Sequence, residues 1–162
     1  MKNKIVYIMM VLLIAGCQPD AHKEIGPARD LVQSMNGTWK LTRVIQRDNE
    51  AVRKGFPFRD LDITGLFPYS DFILTLNADA GNPTTYSSVQ GNAPAILKSA
   101  SGNWTVDNPD YPGVIALANG TTVDSIRLGG YPVGAETNLS LTVQRKLGEK
   151  LVISYIYEFT KQ

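Results

Sequence analysis

The sequence predicts an all-β protein: an eight-stranded antiparallel up-and-down barrel with a short N-terminal helix. Three observations carry that reading. From Thr38 to the C-terminus, apolar and polar residues alternate with a period of two in eight separate runs. Short turn-forming sequences join these runs, which makes consecutive strands antiparallel neighbours. Ahead of them lies a single segment of the folded part with helical spacing, 27–35.

In that segment Ala28, Leu31, Val32 and Met35 stand at i, i+3, i+4 and i+7, with Pro27 suited to the first turn and Gly37 to the exit. The strands follow at 38–46, 71–77, 84–89, 101–106, 113–118, 121–128, 138–145 and 150–160. Asn119-Gly120 is the strongest hairpin signal and is expected to form a type I′ turn. Asn108-Pro109-Asp110, Gly129-Gly130 and Leu147-Gly148-Glu149 punctuate other junctions. The stretch 90–100 accommodates either a lengthened strand or a loop. Alternation assigns inward faces: Leu151, Ile153, Tyr155, Tyr157 and Phe159 in the last strand, and Leu139, Leu141, Val143 and Arg145 in the one before. In the first strand it selects Trp39, Leu41, Arg43 and Ile45. Closing such a meander into a barrel removes the exposed edges that an open sheet would leave.

The N-terminus has a different character. Lys2 and Lys4 precede an unbroken apolar run, 5–15, which is well short of the roughly 20 residues that cross a bilayer core. This is the layout of a secretory signal peptide, residues 1–16. The sole cysteine, Cys17, follows it, and 17–26 has the composition of a flexible tether leading into one domain, 27–162. Ile14-Ala15-Gly16-Cys17 resembles a bacterial lipobox. The resemblance implies that Cys17 is lipidated on sulfur and becomes the mature N-terminus, with an N-acyl chain such as palmitate beside a diacylglyceryl group. Two or more chains meet the requirement for stable anchoring that one chain fails. Gln18, rather than aspartate, after the cysteine implies an outer-membrane lipoprotein, facing the periplasm or the cell surface.

Loss of residues 1–16 changes the formal charge from +1 to −1, with fourteen Lys+Arg against fifteen Asp+Glu, so no basic excess remains for nucleic acid. A lipidated Cys17 leaves no thiol for disulfides, Cys-ligated metal or thiol catalysis. The one histidine, His22, lies in the tether, so a His-based acid–base site within 27–162 is excluded. No cofactor or metal is expected.

Asn36-Gly37-Thr38-Trp39, at the start of the first strand after a short helix, resembles the Gly-x-Trp signature of lipocalin-like (calycin) barrels. In that superfamily the tryptophan plugs the closed end and a basic side chain from the end of the last strand packs across its ring. Lys161 stands in that place, where arginine is usual. The lipobox, tether, "GTWKL" and "SGNWTVD" are together similar to small lipocalin-like lipoproteins of Bacteroidota whose functions are largely unassigned.

The connection between the first two strands, 47–70, is long and apolar, with Phe56, Phe58, Phe67 and Tyr69 beside Pro57 and Pro68. Strand alternation puts it at the end opposite Trp39, where it would act as a lid. Arg43 and Arg145 rise toward that mouth. The expected site therefore has Arg43 and Arg145 orienting an anionic or polar head group, and Tyr155, Phe58 and Phe67 covering the apolar body of a small amphipathic ligand. The plainer alternative pairs the rim arginines with Asp60 and Asp62 and folds the aromatics back over a small core. Catalysis is not expected, since Asp60 and Asp62, two apart in a loop, do not define an acid–base separation. A third reading is a non-catalytic interaction subunit of an envelope assembly, with Trp104, Tyr111 and Tyr131 offered near turns to a protein or glycan partner. Asp124-Ser125-Ile126 also resembles a short O-glycosylation motif, against which its strand position argues.

Overall fold

In the computed structural model, which describes residues 29–129 and 137–162, eight strands form one closed antiparallel sheet and a ninth, very short strand is added at its rim. The expected signal peptide, 1–16, Cys17, the expected tether, 17–26, and Tyr131 lie outside the described residues. Helix α1 (Leu31–Met35) begins where the Asp30 carboxylate accepts a hydrogen bond from the Gln33 N–H at 2.8 Å, a side-chain N-cap. Its buried residues, Val32 and Met35, join the barrel core.

The strands are β1 (Gly37–Asp48), β2 (Asp60–Asp62), β3 (Ile73–Asp79), β4 (Asn82–Val89), β5 (Ser101–Val106), β6 (Val114–Asn119), β7 (Thr122–Leu128), β8 (Asn138–Leu147) and β9 (Lys150–Lys161), with helix α2 (Asn49–Arg53) after β1. Eight of these match the eight alternating runs. Closure comes from β1 lying along β9, from Trp39 opposite Lys161 to Asp48 opposite Ile153. On its other side β1 pairs with β3 through its first residues and with β2 through Ile45, Gln46 and Arg47. Trp39 therefore marks the lower end, and the β1–β3 connection the upper.

Alternation fills the lower and middle barrel with apolar side chains. Trp39, Leu41, Leu74, Leu76, Tyr86, Trp104, Ile115, Leu117, Ile126, Leu139, Leu141 and Phe159 are all buried in one cluster. The predicted position of Trp104 at an exposed turn is corrected here. It points inward from β5, is only 1 % exposed, and its indole N–H donates to the Asn77 carbonyl at 2.6 Å. In strand 101–106 its parity is the buried one, which outweighs its nearness to a turn.

The predicted inward row of β1 is also corrected, beyond Leu41. The β1–β9 register shifts between Leu41 and Arg43: Leu41 lies opposite Phe159 and Arg43 opposite Glu158. This β-bulge inserts one residue, reversing the alternation that follows. Val44 is therefore fully buried and Arg43 lies on the outer face.

Two hairpins differ in detail from expectation. Asn119 pairs with Thr122, so the β6–β7 loop is Gly120-Thr121 and only Gly120 has positive φ, the II′ rather than the I′ pattern. The I′ pattern occurs instead at Ala80-Gly81, with φ of 47° and 77°. The stretch 90–100 is a loop at the upper end. Ala93 is buried, Ile96 and Leu97 pack on the core, and Asp124 accepts the Lys98 N–H at 2.7 Å.

One seam of the wall is only partly zipped. β7 and β8 pair through Arg127 with Thr142 and Leu128 with Leu141, and no pairing joins them above that level.

Candidate functional site

The upper half of the barrel is where tyrosine side chains from β9 and from the lid come together. Tyr155 and Tyr157 project inward from β9 with rings stacked at 6.4 Å between centroids. Gln46 lies opposite Tyr155 on β1, and Val143 opposite it on β8. Tyr69 enters from a 3-10 turn in the lid and is buried, with Phe67 edge-on to its ring at 5.8 Å. No bond between described residues engages the hydroxyls of Tyr69, Tyr155 and Tyr157, and no fully buried side-chain polar atom among the described residues lacks a partner, so these hydroxyl oxygens are not buried orphans.

Burial pushes the Tyr157 phenol up to about 12, with Tyr69 and Tyr155 adding to the shift and Arg145 opposing it. Burial likewise raises Tyr69, again with Tyr155 contributing. The Tyr69 and Tyr157 phenols thus remain protonated at neutral pH and offer both donors and acceptors. Arg145 continues the inward row of β8 above Leu141 and Val143, is exposed, and acts electrostatically on Tyr157. Together they bring an apolar wall, phenol groups and an exposed cation to the upper end of the barrel.

Arg145 and Tyr155 were predicted at this place, and the structure brings them to it. Phe58 and Phe67 stand on the lid but face outward, Phe58 being 94 % exposed and Phe67 53 %. Arg43 lies outside the barrel, where its Nε donates to Asp62 at 2.9 Å and Glu158 lies 3.6 Å away. Arg47 forks onto Asp60 with two bonds of 2.7 Å. The rim arginines of β1 thus follow the plainer alternative, pinning the lid to the outer wall. Asp62 also accepts from the Thr64 hydroxyl at 2.6 Å, and Thr64 first and then Arg43 lower its pKa to about 2.

Sequence reasoning passed over Tyr69 and Tyr157 as site residues. Tyr157 carries a usable signal, since it shares the inward row of β9 with Tyr155. The position of Tyr69 depends on how the lid folds, and the lid contains more structure than a loop. Asp48 caps α2 by accepting from the Glu50 and Ala51 N–H groups, and Glu50 bonds to Lys150 and Arg53, fastening α2 to β9.

At the lower end the three signature residues form one unit. Gly37 has φ of +137°, and a Cβ there would stand 2.5 Å from Lys161 Cε, so only glycine leaves that side chain its path. Lys161 Nζ then sits 5.2 Å over the Trp39 ring and donates to the Ser34 carbonyl at 3.3 Å. The Trp39 indole N–H donates to the Met35 carbonyl at 2.8 Å, satisfying a backbone acceptor at the end of α1. Tyr111, 72 % exposed, lies on a connection at this end. Ser125 of the glycosylation-like triplet lies on an exposed strand position.

This arrangement defines the class: a small closed antiparallel β-barrel, sealed at one end and lidded at the other. Within that class the chain belongs to the family described as a domain of unknown function, DUF5004, which it matches over residues 19–160. Neither a curated protein nor a solved structure matches the chain.

Proposed function

We propose that this is a lipid-anchored, lipocalin-like protein of the bacterial envelope that binds a small amphipathic ligand without catalysis. The ligand's apolar body would lie against Tyr69, Tyr155 and Tyr157, with its polar or anionic head group toward Arg145. One observation carries the reading: the Tyr69, Tyr155 and Tyr157 rings gather at the upper end of an apolar interior, beside the rim cation Arg145. Ligand pockets are typically built this way, with apolar walls and a few convergent polar groups. The Gly37, Trp39 and Lys161 unit supports the lipocalin-like resemblance, and Ile14-Ala15-Gly16-Cys17 supports attachment through Cys17 in an outer-membrane lipoprotein.

The test is native mass spectrometry of protein purified from its membrane in mild detergent. The reading expects a co-purified amphipathic molecule on the wild type that is depleted on Arg145→Gln and on Tyr157→Phe. An unliganded wild type that also fails to take up added long-chain carboxylates would count against it.

A further inference from the structure

The lid carries a second surface that ligand binding does not use. Phe56, Phe58, Leu61, Leu66 and Phe67 are each more than half exposed, and the neighbouring β8–β9 turn adds Leu147 at 75 %. That turn adjoins the lid, since Arg53 Nη1 donates to the Leu151 carbonyl at 2.9 Å and Glu50 pairs with Lys150. So many large apolar side chains at one end of a small domain mark an interaction surface.

Charge indicates what covers it. Segments 49–62 and 145–150 hold six cations (Arg53, Lys54, Arg59, Arg145, Lys146 and Lys150) against four acids (Glu50, Asp60, Asp62 and Glu149). Two of those acids are already neutralised by Arg47 and Arg43 from β1. Arg59, between Phe58 and Asp60, makes no side-chain hydrogen bond or ion pair among the described residues. At the lower end the connections 79–82 and 107–113 contain Asp79, Asp107 and Asp110 and no lysine or arginine, the cations there, Arg29, Arg127 and Lys161, standing at the ends of strands and of the segment before α1. Aromatic and aliphatic side chains interleaved with Lys and Arg suit the interface of a bilayer, where rings lie at the headgroup level and cations meet anionic lipid.

We propose that the upper end docks on an anionic lipid bilayer, with Phe56, Phe58 and Leu66 entering the interface and Lys54 and Arg59 contacting headgroup phosphates. The barrel then stands with its upper tyrosines toward the membrane and its lower end away from it. Chain length permits this: twelve residues, thirteen Cα-to-Cα steps, lie between Cys17 and Asp30 at the lower end, an extended reach of roughly 45 Å. That exceeds the height of a tilted barrel whose longest strands have twelve residues, roughly 30 Å. The inference is independent of what the upper tyrosines bind.

The experiment uses the full protein in vesicles of phosphatidylcholine and phosphatidylglycerol with brominated acyl chains, which quench tryptophan within the bilayer. Trp39 and Trp104 are buried in the barrel and set the baseline. Phe58→Trp is expected to add emission that the brominated lipid quenches, while Tyr111→Trp at the lower end adds emission that stays unquenched. Replacing Lys54 and Arg59 by glutamine is expected to weaken lid docking about fivefold for each cation removed. Phe58→Trp emission as unquenched as that of Tyr111→Trp would overturn the proposal. A blue shift without quenching would overturn it in favour of a protein partner, and equal quenching in purely neutral vesicles would overturn the assignment to anionic lipid. Intact mass of the same preparation reads lipidation of Cys17 separately, so a failed anchor and a failed lid give different results.

Discussion

The two ends of this barrel are made from the same strands but solve opposite problems. At the lower end the sealing side chains are committed: Trp39 is buried, its N–H is bonded to α1, its face is covered by Lys161, and Gly37 makes room for that cover. At the upper end Phe58 stands almost wholly in solvent, and β7 and β8 have no paired residues above Arg127. Burial stabilises in proportion to the apolar area removed from water. An end that leaves this much apolar surface exposed is therefore held in place by other means, here Arg43–Asp62, Arg47–Asp60 and Glu50–Lys150. Stability is concentrated below and the capacity for contact above.

The largest expected difference comes from removing one aromatic at each end. Trp39→Ala should destabilise by about 3–5 kcal/mol, whereas Phe58→Ala should stay within about 0.5 kcal/mol of wild type. Urea unfolding of the two variants measures both, and similar losses would erase the contrast.

Gly37→Ala comes next. It imposes a strained backbone conformation and displaces Lys161 from the Trp39 ring, at a cost of about 1–3 kcal/mol, visible as a lowered thermal midpoint. Lys161→Met, which removes the cation but keeps the stem, should cost less, about 0.5–1 kcal/mol.

The lower end also holds a correctable strain. Ala80 takes a positive φ of 47° in a turn that favours Asn-Gly. Ala80→Asn should raise stability by about 0.5–1 kcal/mol, as judged by urea midpoint.

Acid should sort the two ends by their electrostatics. Asp62 and Glu50 have folded pKa values of about 2 against ordinary values of 3.8 and 4.5, Glu50 through Lys150 and then Arg53. Carboxylates depressed in this way contribute fully above their unfolded values, and the contribution is lost as pH falls through the folded value. The lid's ties should therefore hold from neutral pH to about 4 and loosen between about 4 and 2. Amide exchange in 49–66 would rise over that range, while the Trp39 indole resonance keeps its position. The smallest effect is expected from Tyr157→Phe: its hydroxyl has no described partner, so stability should change by less than about 0.5 kcal/mol.

Much of the sealed end was legible in the sequence, and much less of the lidded end. Alternation locates eight strands and the inward rows of β8 and β9, because side-chain direction in a strand depends only on parity. Gly37, Trp39 and Lys161 could be read together only through the resemblance to the Gly-x-Trp signature, since their contact joins the two ends of the chain. The bulge at Thr42 and Arg43 left no mark, since the residues on both sides of it continue an acceptable alternating pattern. It reversed the row that would have carried Arg43 inside. In the lid, β2 is held by Asp60 and Asp62 pairing with Arg47 and Arg43 of β1, and α2 by Glu50 pairing with Lys150 of β9, and no periodicity announces such contacts between groups distant in sequence. Tyr155 was therefore found from its strand, and Tyr69 was not.

The central claim is that partners are received at the tyrosine-lined end and nowhere near the tryptophan-sealed one. Fluorine NMR of protein labelled with fluorotyrosine and titrated with dodecanoate tests it most directly. The account predicts saturable shifts of the Tyr69, Tyr155 and Tyr157 signals, lost in Arg145→Gln, with Tyr86 and Tyr111 unmoved. Unmoved signals at all three upper tyrosines, or shifts confined to Tyr111, would contradict it.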